Sequence, residues 1–243
     1  MMKFIEKGTG RPIILLHGLF GNLSNWNHQI TFFSKTYKVI VPELNFDIPR
    51  NEKALNYLAK ELYDLVVELQ LDDIILVGNS LGGHLALVFT HMHPEHVSKL
   101  VLTGSSGLFE NTLNGTYPRR NSRKYIKERV EYTFYDPKIA TDNLLAEVLN
   151  VVRDNTKCFN IIRMAKEAQR NTLKDTLHLI NTPTMLIWGK NDKITPPDVA
   201  LEFEDLMPNC ELYWLDNCGH APMMEHPYGF NELLQNYILK NEN

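Results

Sequence analysis

Apolar residues in this chain fall into short unbroken runs, separated by longer stretches with a three-to-four-residue rhythm. The runs cover 12–16, 38–41, 74–77, 99–102, 184–188 and 211–215. Leucine, isoleucine and valine dominate them, and polar or glycine positions bound them, as in strands buried on both faces of a parallel sheet. The segment 3–7 fits an additional antiparallel edge strand. Between runs, Leu55, Leu58, Ala59, Leu62, Leu65, Val66 and Leu69 trace one apolar stripe of a helix. Residues 81–92 read as a mostly apolar helix packed on the sheet, and 228–239 as the last helix. Strands alternating with helices predict an α/β fold with a doubly wound, mostly parallel sheet.

The alternation stops between 105 and 179, where only helical patterns occur. One covers 125–132. A second starts at Asp136-Pro137, with the acid as N-cap and proline at the first position, and runs through Leu144, Leu145, Val148, Leu149 and Val152. A third surrounds Phe159, Ile162, Met164 and Ala165. The expectation is a core of 1–104 and 180–243, with 105–179 inserted as a helical cap over the sheet ends.

Composition narrows the class without naming a chemistry. A net charge of −4 with 44 % hydrophobic residues describes an ordinary soluble domain, not a nucleic-acid binder. No apolar run approaches the roughly 20 residues of a membrane helix. The first residues reach charge and glycine too early for a signal peptide. Three cysteines, Cys158, Cys210 and Cys218, make an odd set without metal or redox spacing, so a reduced cytoplasmic protein is expected.

The sharpest chemical signal is Gly78-Asn79-Ser80-Leu81-Gly82-Gly83, set directly between a strand and a helix. A turn that tight strains the serine backbone and lifts its hydroxyl to the carboxyl edge of the sheet. Serine attacks well only beside a base. Of nine histidines, His220 follows the last strand in Asn217-Cys218-Gly219-His220-Ala221-Pro222, on that same edge. Three acids could orient its ring: Asp192 after the 184–188 run, Asp216 four residues before His220, and Glu110 after an earlier strand. The order Ser80, Asp192, His220 is the one such folds use, which places Asp192 first. An oxyanion would be held by the N–H of Leu81 and by that of Leu19, or else Phe20, in His17-Gly18-Leu19-Phe20-Gly21. His17 fits a structural role in that loop. His91, His93 and His96 read as a surface cluster, since residues two apart face different sides of a helix.

Over 13–239 the chain resembles the α/β-hydrolase superfamily. The resemblance rests on His17-Gly18, the Gly78–Gly83 turn, Trp188-Gly189 with Asp192, and Gly219-His220 with Pro227, in that order. Within it the chain is similar to small capped esterases, including pimeloyl-carrier-protein methyl ester esterases, and to carbon–carbon hydrolases of aromatic ring cleavage. It departs from many members at 42–49, Pro-Glu-Leu-Asn-Phe-Asp-Ile-Pro, where they carry an Arg-Gly-His-Gly-x-Ser-like loop. The resemblance implies hydrolysis of a carboxylic ester through an acyl-enzyme, without metal or organic cofactor. A carbon–carbon hydrolase, an acyl thioesterase and a slow-turnover ligand receptor are the other readings of this fold.

Specificity should lie in the insertion. Between 104 and 175 there are 13 Lys and Arg against 9 Asp and Glu. Arg119, Arg120, Arg123, Lys124, Lys127 and Arg129 bunch there, a pattern that would steer an anionic substrate or an acidic carrier protein. Phe20, Trp26, Phe109, Phe134 and Phe159 are the candidates to line an acyl pocket.

Overall fold

The computed structural model describes residues 2–111 and 119–240. The strands are β1 (Phe4–Lys7), β2 (Pro12–Leu16), β3 (Lys38–Pro42), β4 (Ile74–Asn79), β5 (Val97–Thr103), β6 (Thr184–Gly189) and β7 (Cys210–Leu215). They form one seven-stranded sheet in the order β1-β3-β2-β4-β5-β6-β7. Only β1 runs antiparallel to its neighbour, with Phe4 opposite Pro42; every other pairing is parallel.

Alternate residues of each central strand point to opposite faces, and both faces are apolar. Ile14, Leu16, Leu76, Leu100 and Leu186 pack against α2 (Ala54–Glu68), α3 (Leu81–Met92) and α7 (Pro197–Leu206). Ile13, Leu15, Val77, Val101 and Ile187 share the opposite core with α1 (Asn27–Phe33) and α9 (Pro227–Leu239). That double burial is why the strands read as unbroken hydrophobic runs. The edge strand β7 is only half-buried throughout.

Between β5 and β6 the chain forms α4 (Arg123–Tyr132), α5 (Asp142–Arg153) and α6 (Asn155–Arg170). The expected insertion also spans 112–118, which lie outside the described residues. Asp136 caps a single 3₁₀ turn, Pro137–Ile139, rather than the helix itself. Thr141 instead accepts the Leu144 N–H and starts α5. The backbone between them leaves the helical region at Ala140 (ψ 65°), so one continuous helix is impossible. The divergent 42–49 stretch fastens α6: the Arg163 guanidinium donates to the carbonyls of Ile48 (2.7 Å) and Pro49 (2.8 Å). Glu167 accepts the Ala54 N–H at the start of α2.

The chain leaves β2 for β3 on one side and returns to β4 on the other. Loops after β2 and β4 therefore diverge at the carboxyl edge and open a crevice there, the usual ligand position in such sheets. A short helix, α8 (Pro222–Glu225), follows the β7 loop. Among the described residues no helix is long and apolar enough to cross a membrane.

Candidate active site

Ser80 stands in that crevice between the last residue of β4 and the first of α3. Its backbone is left-handed (φ 56°, ψ −121°), a strained state for a residue with a side chain. Close backbone crossing makes the flanking glycines necessary. A Cβ on Gly78 would lie 2.4 Å from the Gly82 carbonyl oxygen, and one on Gly82 would lie 2.3 Å from that of Leu16. The turn is pinned on both sides: Ser80 N–H donates to Thr103 O (3.1 Å), and Ser80 O accepts from Ser106 N–H (3.1 Å). Leu81, the first residue of α3, has no acceptor for its N–H within the helix. Leu19 and Phe20 border the same cavity from the loop after β2.

His220 reaches the crevice from the loop after β7. Its Nδ1 lies 2.9 Å from Asp192 Oδ2, both side chains being almost wholly buried. The loop after β6 holds Asp192 firmly. Its Oδ1 accepts the N–H groups of Ile194 (2.8 Å) and Thr195 (3.0 Å), and its Oδ2 also accepts the Thr195 hydroxyl (2.8 Å). Burial alone would lower the His220 pKa. The charge of Asp192 and its hydrogen bond outweigh burial, with smaller help from Glu110 and Glu225, so the net shift is upward. The other two acids stand apart from Nδ1. Asp216 is exposed in an ion pair with Lys190 (2.8 Å), and Glu110 accepts from the Ser106 hydroxyl (2.7 Å) and from Gln169 (3.2 Å).

Asn79 is a contributor that sequence reasoning did not single out. Its side-chain N–H groups donate to Thr103 O (2.9 Å) and His220 O (3.0 Å), tying the serine turn to the histidine loop. The adjacency of Asn79 to Ser80 was the available signal. His17 is a loop brace: Nε2 accepts the Leu44 N–H (3.1 Å), so Nδ1 carries the proton it shares with Gly18 O (2.9 Å). Its pKa is lowered, chiefly by burial.

Ser80 and His220 open onto a cavity of about 580 Å³ beneath α4, α5 and α6. Most of its wall is apolar, with Leu19, Phe20, Phe134, Val148, Ile162 and Met224 among the lining residues. Of the aromatic candidates, Phe20 and Phe134 line it. Trp26 does not; it is fully buried in the core, 6.2 Å from the Phe230 ring. Phe109 and Phe159 also fall outside it, more than half exposed; on α6 it is Ile162, Ala165 and Gln169 that turn inward, leaving Phe159 beside Arg50. Of the basic cluster, Arg129 lines the cavity. Arg123 and Lys127 pair with Asp142 and Glu131 on the surface, and Arg120 bonds Asn155. The His91 group holds no metal arrangement: His93 stacks on Tyr63, and His96 meets Asp72 (3.1 Å). Among the described residues no cluster of three metal-ligating side chains occurs.

The family model of the alpha/beta hydrolase fold matches residues 11–227. The chain belongs to that family. It is similar to a 2-hydroxy-6-oxononadienedioate/2-hydroxy-6-oxononatrienedioate hydrolase of Cupriavidus pinatubonensis, 32 % identical over 96 % of this chain and 89 % of the relative. The 2-hydroxy-6-oxo-6-phenylhexa-2,4-dienoate hydrolase of Burkholderia cepacia is 27 % identical with the same coverage. Among solved structures, MGS-MChE2, an alpha/beta hydrolase enzyme from a lagoon-sediment metagenome of Mar Chica, Morocco, is 38 % identical. It aligns over 100 % of both chains with a TM-score of 0.79. A meta-cleavage product hydrolase of Pseudomonas fluorescens IP01 shares the fold at 22 % identity, TM-score 0.86, over 98 % of this chain and 94 % of that one. The protein is therefore a hydrolase on this fold.

Proposed function

We propose that this hydrolase cleaves a carboxylic ester by a Ser80–His220–Asp192 triad. The observation that carries the reading is the buried Asp192–His220 hydrogen bond, beside a strained serine facing the same cavity. Asp192 claims Nδ1–H, which leaves Nε2 as the basic nitrogen. His220 takes the Ser80 hydroxyl proton as Oγ attacks the ester carbonyl carbon. The N–H groups of Leu81 and Leu19 receive the oxyanion. The C–O bond to the leaving alcohol breaks as that alcohol takes the proton from His220. Water, deprotonated by His220, then attacks the acyl-serine; the acyl–Oγ bond breaks as His220 returns the proton to Ser80 Oγ, and the acid is released.

Ser80→Ala should abolish hydrolysis of short p-nitrophenyl esters and labelling by a fluorophosphonate. Labelling that persists would mean the wrong nucleophile. The named activities of the relatives from Cupriavidus pinatubonensis and Burkholderia cepacia favour a second reading, hydrolysis of a carbon–carbon bond in a 2-hydroxy-6-oxo-dienoate. The same triad serves both, so the two are separated by kcat/KM on an ester panel against a ring-cleavage dienoate. A preference for the dienoate above every ester would replace the ester assignment.

A further inference from the structure

Glu225, at the end of α8, touches neither Ser80 nor the His220 ring, yet it joins two segments that meet at His220. Its Oε2 accepts the N–H groups of Tyr135 (2.7 Å) and Asp136 (3.4 Å), from the segment that follows α4. Its Oε1 accepts the N–H of Gly219 (2.8 Å), one residue before His220. Beside this carboxylate, the His220 N–H donates to Thr133 O (2.9 Å), and the His220 carbonyl is held from the core by Asn79 (3.0 Å). The backbone of His220 is thus clamped between the covering helices and the sheet. Gly219 is the point of closest approach: a Cβ there would lie 2.8 Å from both Thr133 O and Tyr135 N and 3.0 Å from Glu225 Oε1.

We propose that Glu225 is a positioning residue that couples seating of the covering helices to alignment of His220 with Ser80 and Asp192. The proposal rests on the serine-hydrolase reading above. An ionised carboxylate is the right group, because acceptor-only oxygens face backbone donors on both sides. Glutamine cannot replace it, since its NH₂ would confront either Gly219 N–H or Tyr135 N–H. Loss of the clamp frees the Gly219-His220 peptide from Tyr135, and with it the register of the ring against Asp192. The charged groups facing His220 are Asp192 after β6, Glu110 after β5 and Glu225 itself.

The test is Glu225→Gln in the full chain, read by the pH dependence of fluorophosphonate labelling. Misplacing a base by a fraction of an ångström to an ångström costs rate steeply, so the plateau should fall about tenfold or more. The acid limb should move to lower pH, because the ring loses the charge of Glu225 and, less firmly held, part of the Asp192 interaction that raises its pKa. A plateau like that of wild type would overturn the proposal even with a displaced acid limb, because loss of the Glu225 charge alone moves that limb; so would a lower melting temperature with an unmoved acid limb. Hydrogen exchange of the wild-type protein provides the second measurement, and it decides the matter should Glu225→Gln fail to fold. Amides of Tyr135, Gly219 and His220 should open together with one common protection factor, whereas independent exchange would overturn the coupling. Persistent labelling of Ser80→Ala would instead sink the assignment of Ser80 as the nucleophile, and the exchange result stands apart from it.

Discussion

Gly104 shows how much of this site depends on a side chain that is missing. It sits at φ 51° directly under His220, and a Cβ would lie 2.7 Å from the His220 carbonyl oxygen and 2.9 Å from Nδ1. Gly18 is less crowded, with its Cβ position 3.1 Å from that of Ser80. Gly104→Ala should therefore lower kcat/KM by about 100-fold, and Gly18→Ala by about tenfold. Steady-state kinetics beside a melting curve would check this; equal losses would deny that displacement of His220 is the cause. Asp192→Asn probes the ring itself. Asparagine can keep its oxygen on the Ile194 and Thr195 amides only by pointing its NH₂ at His220 Nδ1. That reverses the tautomer and puts the proton on Nε2, where it cannot accept from Ser80. Activity should fall by roughly 10⁴-fold with the fold intact, and a variant within tenfold of wild type would show that the acid lies elsewhere. The Ser80 turn was legible from a local motif, and the pairing of His220 with Asp192 from chain order. Asn79 in its contact with His220, 141 residues away, and Gly104 were not, because their parts are set by segments that meet only in the folded chain.

At the level of elements, the buried strands announced themselves, since a strand covered on both faces leaves no polar residue to break the run. Helices with thin stripes were harder. The seven residues of α1 span two turns, and α7 buries only Val199, Ala200 and Phe203. The start of α5 was displaced from Asp136 to Thr141, because both residues cap something and only the Ala140 backbone tells which is the helix. Aromatic residues predicted little about the pocket: size alone does not say which face of an element a ring occupies. The helix α3 also buries His84, in its first turn. Burial pushes this ring down to about 4, opposed only by the Asn171 backbone. Below about pH 6.5 the unfolded chain takes up a proton that folded His84 refuses until about pH 4. Falling pH across that window therefore favours unfolding, by an amount on the order of 3 kcal/mol from this residue. His220, shifted upward, acts in the opposite sense, so comparison with His84→Leu isolates the effect. The stability difference between the two proteins in urea should shrink or reverse in favour of the variant between pH 7 and pH 4. A difference independent of pH would mean that His84 is not the group responsible.

On the scale of the whole molecule, charge is divided unequally between the sheet and the helices that cover it. The stretch 104–175 carries an excess of four positive charges in a chain whose net charge is −4. Arg129 and Lys166 from α4 and α6 line the cavity, and the carboxylate in its wall, Glu110, is already engaged by Ser106 and Gln169. We propose that this excess steers an anionic substrate toward the cavity. Such a field acts on encounter rather than on bond breaking, and salt erases it as the screening length falls from about 10 Å at 0.1 M to about 3 Å at 1 M. For two esters with the same acyl chain, one ending in a carboxylate and one in a methyl group, kcat/KM should fall with salt for the first and stay flat for the second. Arg119→Glu with Lys124→Glu should lower kcat/KM for the anionic ester and leave kcat nearly unchanged, without disturbing the Arg123–Asp142 pair or the Arg120–Asn155 contact that hold the covering helices. Parallel salt dependence for the two esters would show that the basic cluster serves only the surface, and would remove an acidic carrier protein as a partner together with the anionic substrate.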